Sequence, residues 1–312
     1  ATFGVNRFSD LSFEEFKEQK LGYNYIISED DSSTELKKTT VLEAVSVDWR
    51  NVTTPVRDQG TCGACWAISA IQQLESTWMM YGQSLASFSV QEILDCMSTS
   101  DACLGGDPAL AYTFLESNNV RLAYSYPYTE SGSYDDCKNI PEYVSGLSVV
   151  GYDKTSMSGD ENAMMNYVSA NGPLGACVYA NDAWQHYDSG VLPASSCDES
   201  KVLNHCVQIV SLNVESGWWR VKNSWNVGWG EHGFIRLSTG EDTCGISGEP
   251  HTVTINTPIR TTCGDTKGDD CGKTSTCTQT SNSSTGTCTC SSGAMNPPSC
   301  TQYASYVWCS SV

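Results

Sequence analysis

An α+β chain is expected from this sequence, with helices in the first half of its main body and strands in the second. Over 65–81, Ile68, Ile71, Leu74, Trp78 and Met79 recur at three- and four-residue steps, the spacing that gathers apolar side chains on one face of a helix. From 147 onward, β-branched and aromatic runs punctuated by glycine replace that period. After Asn256-Thr257-Pro258 the chain turns to Thr, Ser, Gly and Cys, with almost no large apolar residue before Tyr303.

In chain order, residues 1–20 read as a short amphipathic lead in which Phe8, Leu11, Phe13 and Phe16 stand among charged neighbours. Residues 21–45 are polar and acidic and are expected to run extended and exposed. A long helix follows over 65–81. Ser89 with Glu92 has the capping-box spacing ahead of Ile93-Leu94. Asp107-Pro108 marks a helix start, with proline at the first helical position, and that helix runs to about 117. Strands are expected over 147–152, 174–179, 206–212, 218–222, 234–237 and 252–255. The boundaries that result are a leader and linker over 1–45, a body over 46–256, a linker over 257–262 and a cysteine-rich tail over 263–312. A cleft between the helical and sheet lobes is the natural place for a site.

The formal charge of −19 repels polyanions, which argues against nucleic acid or an acidic membrane surface as a partner. No apolar run reaches the roughly 20 residues that span a bilayer. Sixteen cysteines point to an oxidising compartment. Nine lie from Cys62 to Cys244 and seven in the last fifty residues. The sequons at Asn51 and Asn282 fit the same route. The expected location is therefore the secretory pathway: outside the cell, in a secretory granule, or in a lysosome or endosome. The start at Ala1, without a signal peptide, reads as processing or truncation.

Cys65 stands where the long helix begins, beside unpaired backbone N–H groups and the positive end of the macrodipole. Both favour a thiolate, the reactive form of cysteine. Gln59, six residues upstream, can aim its amide at an oxyanion alongside the Cys65 N–H. A nucleophile needs a base brought to it by folding. His205 opens an apolar strand 140 residues on, and Asn223 follows in Lys222-Asn223-Ser224-Trp225. An asparagine carbonyl accepts an imidazole N–H and fixes its tautomer, while Trp225 and Trp229 are placed to shield that bond. His186, His232 and His251 read as surface or supporting residues. A Cys-x-x-Cys at Cys62 and Cys65 also suits a redox motif or half of a zinc site, but the body offers no second pair. No metal or cofactor is expected.

Gln59-Gly60-Thr61-Cys62-Gly63-Ala64-Cys65-Trp66 resembles the nucleophile signature of papain-like cysteine proteases, and the resemblance covers residues 1 to about 255. It implies a papain-like two-lobe fold, with a helical lobe and an antiparallel β lobe or barrel, and a peptidase with protein or peptide substrates. Substrate backbone would pair with Gly105 and Gly106. The side chain two places before the cut would enter a pocket lined by Asp107, Pro108, Cys177, Leu203, Asn204, Cys206 and Glu249, bordered by Trp225. Apolar side chains suit that pocket, and the Glu249 carboxylate adds a basic option. The stretch from Cys96 to Cys103 is too short for a loop that would block one end of the cleft, so internal cleavage is favoured. The implied disulfides are Cys62–Cys103, Cys96–Cys137 and Cys197–Cys244. Cys177 and Cys206 remain as a fourth bridge or as two buried thiols.

Gly4-Val5-Asn6-Arg7-Phe8-Ser9-Asp10 resembles the end of that family's inhibitory propeptide, so the leader would be the chain's own inhibitor, running through the cleft in a non-productive direction. The tail spacing from Cys263 to Cys300 resembles an EGF-like module, with implied bridges Cys263–Cys277, Cys271–Cys288 and Cys290–Cys300, and offers a surface for a protein partner. Cys309 is left over. The competing interpretation is a binding or matrix protein that keeps a protease-like fold with little activity.

Overall fold

The computed structural model describes residues 1–24, 44–98, 102–197 and 202–257, together with the backbone of four short strands in the tail. Strand β1 (Thr2–Phe3) and helix α1 (Phe13–Lys20) form the leader. After β2 (Val47–Asp48), helices α2 (Cys65–Met80), α3 (Gln91–Cys96) and α4 (Pro108–Ser117) build one lobe. The other lobe comprises β3 (Ser148–Asp153), α5 (Glu161–Asn171), β4 (Leu174–Val178), α6 (Asp182–Gln185), β5 (Tyr187–Ser189), β6 (Val191–Leu192), β7 (His205–Asn213), β8 (Trp218–Lys222), β9 (Phe234–Ser238) and β10 (Glu249–Asn256). Its eight-stranded sheet runs β3-β10-β4-β7-β8-β9-β6, with β2 also on β7. Every pairing is antiparallel except β6 with β9.

Helix α2 differs from the single apolar stripe its spacing suggests, because it is buried on nearly all sides. Ile68, Ile71 and Leu74 join the core of the helical lobe. Its polar residues meet the sheet: Ser69 donates to the Val207 carbonyl at 2.6 Å, and Gln73 to that of Pro173 at 2.9 Å. The helix is therefore the spine between the lobes, and its first residue faces the cleft. Helix α4 starts where Asp107-Pro108 places it, with the Asp107 carboxylate accepting from the Ala109 N–H at 2.8 Å. Ser89 accepts from the Glu92 N–H, but Glu92 turns to Arg121 instead of closing a box. The complete capping box lies at Ser12 and Glu15, on α1.

Gly22 and Tyr23 run extended but depart from the exposure expected for 21–45. Tyr23 is 6% exposed and Gly22 is buried. His251, expected as a surface or supporting residue, is not at the surface. It lies in the core, where its ring bonds Tyr112 Oη at 2.8 Å and Ser69 Oγ at 3.1 Å. Disulfides join Cys62–Cys103, Cys96–Cys137, Cys177–Cys206 and Cys197–Cys244. Among the residues whose side chains are described, Cys65 is the free cysteine. In the tail, β11 (Cys277–Gln279) pairs β12 (Cys288–Cys290), and β13 (Ser299–Tyr303) pairs β14 (Tyr306–Ser310). The expected bridges Cys263–Cys277, Cys271–Cys288 and Cys290–Cys300 lie outside the described side chains, and Cys309 with them. No helix among the described residues is long and apolar enough to cross a membrane.

Candidate active site

Cys65 is the first residue of α2 and is wholly buried. The backbone amides of Cys206, on the neighbouring lobe, of Gly22, on the leader, and of Trp66 and Cys65 itself each favour its thiolate. Burial dominates these contacts and pushes the thiol up to about 11. His205 opens β7 directly before Cys206, and its Nε2 lies 2.7 Å from Asn223 Oδ1. Because the asparagine oxygen only accepts, Nε2 carries the proton and Nδ1 keeps its lone pair. Nδ1 is buried with no hydrogen-bond partner among the described residues, the state required of a base awaiting a thiol proton. Burial lowers this imidazole to about 4, against a smaller upward effect of the Asn223 bond. With the leader in place, thiol and imidazole are both held neutral.

Aromatic rings seal the imidazole. Trp225 stacks on His205 with centroids 4.7 Å apart, and Trp184 meets the same ring edge-on at 6.2 Å. Trp229 packs on Trp225 and Trp184, one layer further out than the shielding place expected for it. Trp184 lies in the four-residue helix α6, too short for its sequence to carry a periodic signal.

Gln59 is fully buried, and Ser224 Oγ donates to its Oε1 at 2.7 Å, which fixes the amide. Gln59 Nε2 donates to the Cys62 carbonyl at 2.9 Å and to the Lys20 carbonyl at 3.1 Å. A leader carbonyl thus sits on the donor expected to hold an oxyanion. Leader backbone continues along the cleft. Gly106 N–H donates to the Gly22 carbonyl, Asn24 N–H to that of Gly106, and Tyr23 N–H to that of Asn204, at 3.0, 3.0 and 3.1 Å. Tyr23 and Gly106 pair in parallel. Gly22 sits so close to Gly63 that an added Cβ would run into the Gly63 backbone.

The ring of Tyr23 packs with Cys177, Cys206 and Leu203. Cys206 pairs with Cys177 and Cys177 with Glu249 across three adjacent strands, so the disulfide and the carboxylate share one row on one face. Asp107 contributes less to this wall than expected, since its carboxylate caps α4 and pairs with Lys154 at 3.7 Å. Pro108 is buried in the first turn of the same helix, and the Asn204 side chain is engaged by the Ala180 backbone. Gly105, in the left-handed region at φ 120°, faces Asn24.

The leader is anchored beyond this stretch. Phe8 and Phe16 meet Trp225 edge-on at 5.9 and 5.0 Å. Arg7 pairs with Asp58 at 2.6 Å. The Lys20 ammonium is buried, donates to the Gly60 carbonyl and lies over the Phe8 ring. None of Arg7, Lys20, Asp58, Gly22 or Tyr23 was a candidate from sequence, because each gains its role only through partners far away in the chain.

Residues 44–254 match the model of the papain family cysteine protease. Cysteine proteinase B of Leishmania mexicana is 35% identical over 263 residues, which are 80% of this chain and 58% of that protein. The chain thus spans under two-thirds of the length of that relative. Cathepsin O of Mus musculus is 32% identical over 252 residues, 79% of this chain and 80% of the relative. Among solved structures, the digestive procathepsin L2 proteinase of the Tenebrio molitor larval midgut superposes with a TM-score of 0.71 at 30% identity, covering 81% of this chain and 84% of that one.

Proposed function

We propose that this chain, which belongs to the papain family of cysteine proteases, is a cysteine endopeptidase held latent by its own first 24 residues. The observation that carries the reading is the His205–Asn223 bond of 2.7 Å, sealed under Trp225 with the buried Nδ1 left free, while Cys65 is the only unbridged thiol of the described side chains. With the cleft open, Cys65 passes its proton to His205, and water and the α2 N-terminus favour the resulting thiolate–imidazolium pair. The thiolate attacks a peptide carbonyl whose oxygen is held by the Gln59 amide and the Cys65 N–H. His205 then returns the proton to the leaving amine, and water, deprotonated by His205, releases the acyl group.

The leader blocks this chemistry by running the wrong way. A substrate fills the pocket with a residue that precedes the cut. The leader fills it with Tyr23, which follows the residues lying on the thiol and on Gln59. The pocket accepts apolar side chains against the Cys177–Cys206 disulfide and basic ones at Glu249. The tail is proposed to be an EGF-like module that docks a protein partner, and the site of action is a compartment of the secretory pathway or outside the cell.

Labelling with an epoxide that alkylates activated thiols tests the central reading. One equivalent should be taken up once the leader is displaced, and none by Cys65→Ala. Equal labelling of both proteins would refute it.

A further inference from the structure

Two of the leader's cations, Arg7 and Lys20, sit on the side of Cys65 away from the Tyr23 pocket. Followed backwards from Tyr23, the leader crosses the thiol at Gly22 and reaches Gln59 with the Lys20 carbonyl. The Lys20 side chain is 3% exposed there and donates to the Gly60 carbonyl. Burial disfavours its charge, as does Arg7 nearby, and the carboxylates of Asp58 and Glu130 partly offset this. Asp58 is held in place by the Gly60 N–H at 3.1 Å and by Asn226 Nδ2 at 3.2 Å, and Arg7 takes its outer oxygen at 2.6 Å. Glu130 lies directly over Gly60, where an added Cβ would strike its carboxylate. A cationic side chain, already seated and desolvated, therefore occupies this rim.

In a productive substrate the pocket residue precedes the cut, so the far side of the thiol receives residues that follow it. When the leader leaves, Arg7 and Lys20 leave too, and two carboxylates face the cleft without their cations. We infer that Asp58 and Glu130 form a cation-selective subsite for a Lys or Arg in the first two positions after the cleaved bond. This rests on the endopeptidase reading above and extends it to the other half of the substrate.

The test uses two internally quenched peptides that differ only by Lys against norleucine at both of those positions. The chain is folded whole, its leader is cut within residues 25–43 and displaced, and active thiols are counted with the epoxide. Two partly exposed carboxylates give the Lys peptide an advantage in kcat/KM of about three- to tenfold at low salt. That advantage shrinks at high salt and approaches one in Asp58→Asn/Glu130→Gln. Asparagine at 58 still accepts the Gly60 N–H, so the loop keeps its shape. Turnover of both peptides at equal rates by the wild type, or an unchanged ratio in the double variant, overturns the subsite alone. If the thiol takes no epoxide, the catalytic reading fails, and the subsite is read instead by anisotropy of the same two peptides, fluorescently labelled, on Cys65→Ala. There, stronger binding of the Lys peptide supports it and equal binding overturns it.

Discussion

The indole of Trp225 lies over the imidazole of His205, with ring centroids 4.7 Å apart and planes 29° from parallel. It covers the hydrogen bond to Asn223, so water cannot compete for the asparagine oxygen, and the ring is held in one tautomer.

Asn223→Ala should therefore act on turnover more than on binding. Losing the orienting acceptor lets the imidazole rotate, and kcat should fall on the order of 10²-fold while KM moves little. Steady-state kinetics with a small peptide substrate, normalised to titrated thiol, checks this.

Gly22→Ala should weaken latency. The new methyl meets the Gly63 backbone, so the leader must lift from the thiol it covers. The expected result is a full-length chain that hydrolyses a small peptide several-fold faster than the wild type before any processing. An unchanged rate would mean that the leader bends around the methyl without loosening.

Acid should release the leader. Burial lowers the covered His205 to about 4 from its ordinary 6.5. Between those values an uncovered imidazole binds a proton that the covered one refuses, so the uncovered state gains. The leader's grip therefore weakens as pH falls toward 4. Iodoacetamide labelling of Cys65 after a brief acid step, read by mass spectrometry against a sample kept neutral, should rise accordingly.

Glu75→Ala should destabilise the body by about 2–4 kcal/mol, because it strands a partly buried guanidinium and removes a buried hydrogen-bond acceptor. The Glu75 carboxylate is fully buried and bonds Arg57 at 2.5 Å, Thr54 Oγ1 at 2.5 Å and the Phe88 N–H at 2.7 Å. Urea unfolding measures the loss.

Glu249→Ala should narrow the pocket's choice. The wild type is expected to cleave Phe-Arg and Arg-Arg substrates comparably, and the variant to lose about tenfold on Arg-Arg alone. Parallel loss on both substrates would remove Glu249 from recognition.

The parts of the fold that could be read from sequence were those with a local cause. Asp107-Pro108 set the start of α4 because a cap and a proline act within one turn, and the aromatic run at 218–222 carried β8 to its observed ends. Helix α5 left no such trace, since Met164 and Val168 are its only large apolar residues in the core and they make too thin a stripe. In the site, Cys65, His205 and Asn223 were legible because their types and neighbours state their chemistry. Tyr23 and Lys20 were not. A tyrosine seated against a disulfide joining residues 177 and 206, and a lysine resting at Gly60, depend on contacts that only the folded chain creates.

Trp225 has two occupations at once. Its indole covers the His205–Asn223 bond, while Phe8 and Phe16 of the leader press on the same ring. A variant at this position that frees the cleft also strips the shelter from His205 and Asn223, so restraint and competence cannot be tuned apart there. Selection for a more readily awakened enzyme must act elsewhere, on the phenylalanines or on Gly22.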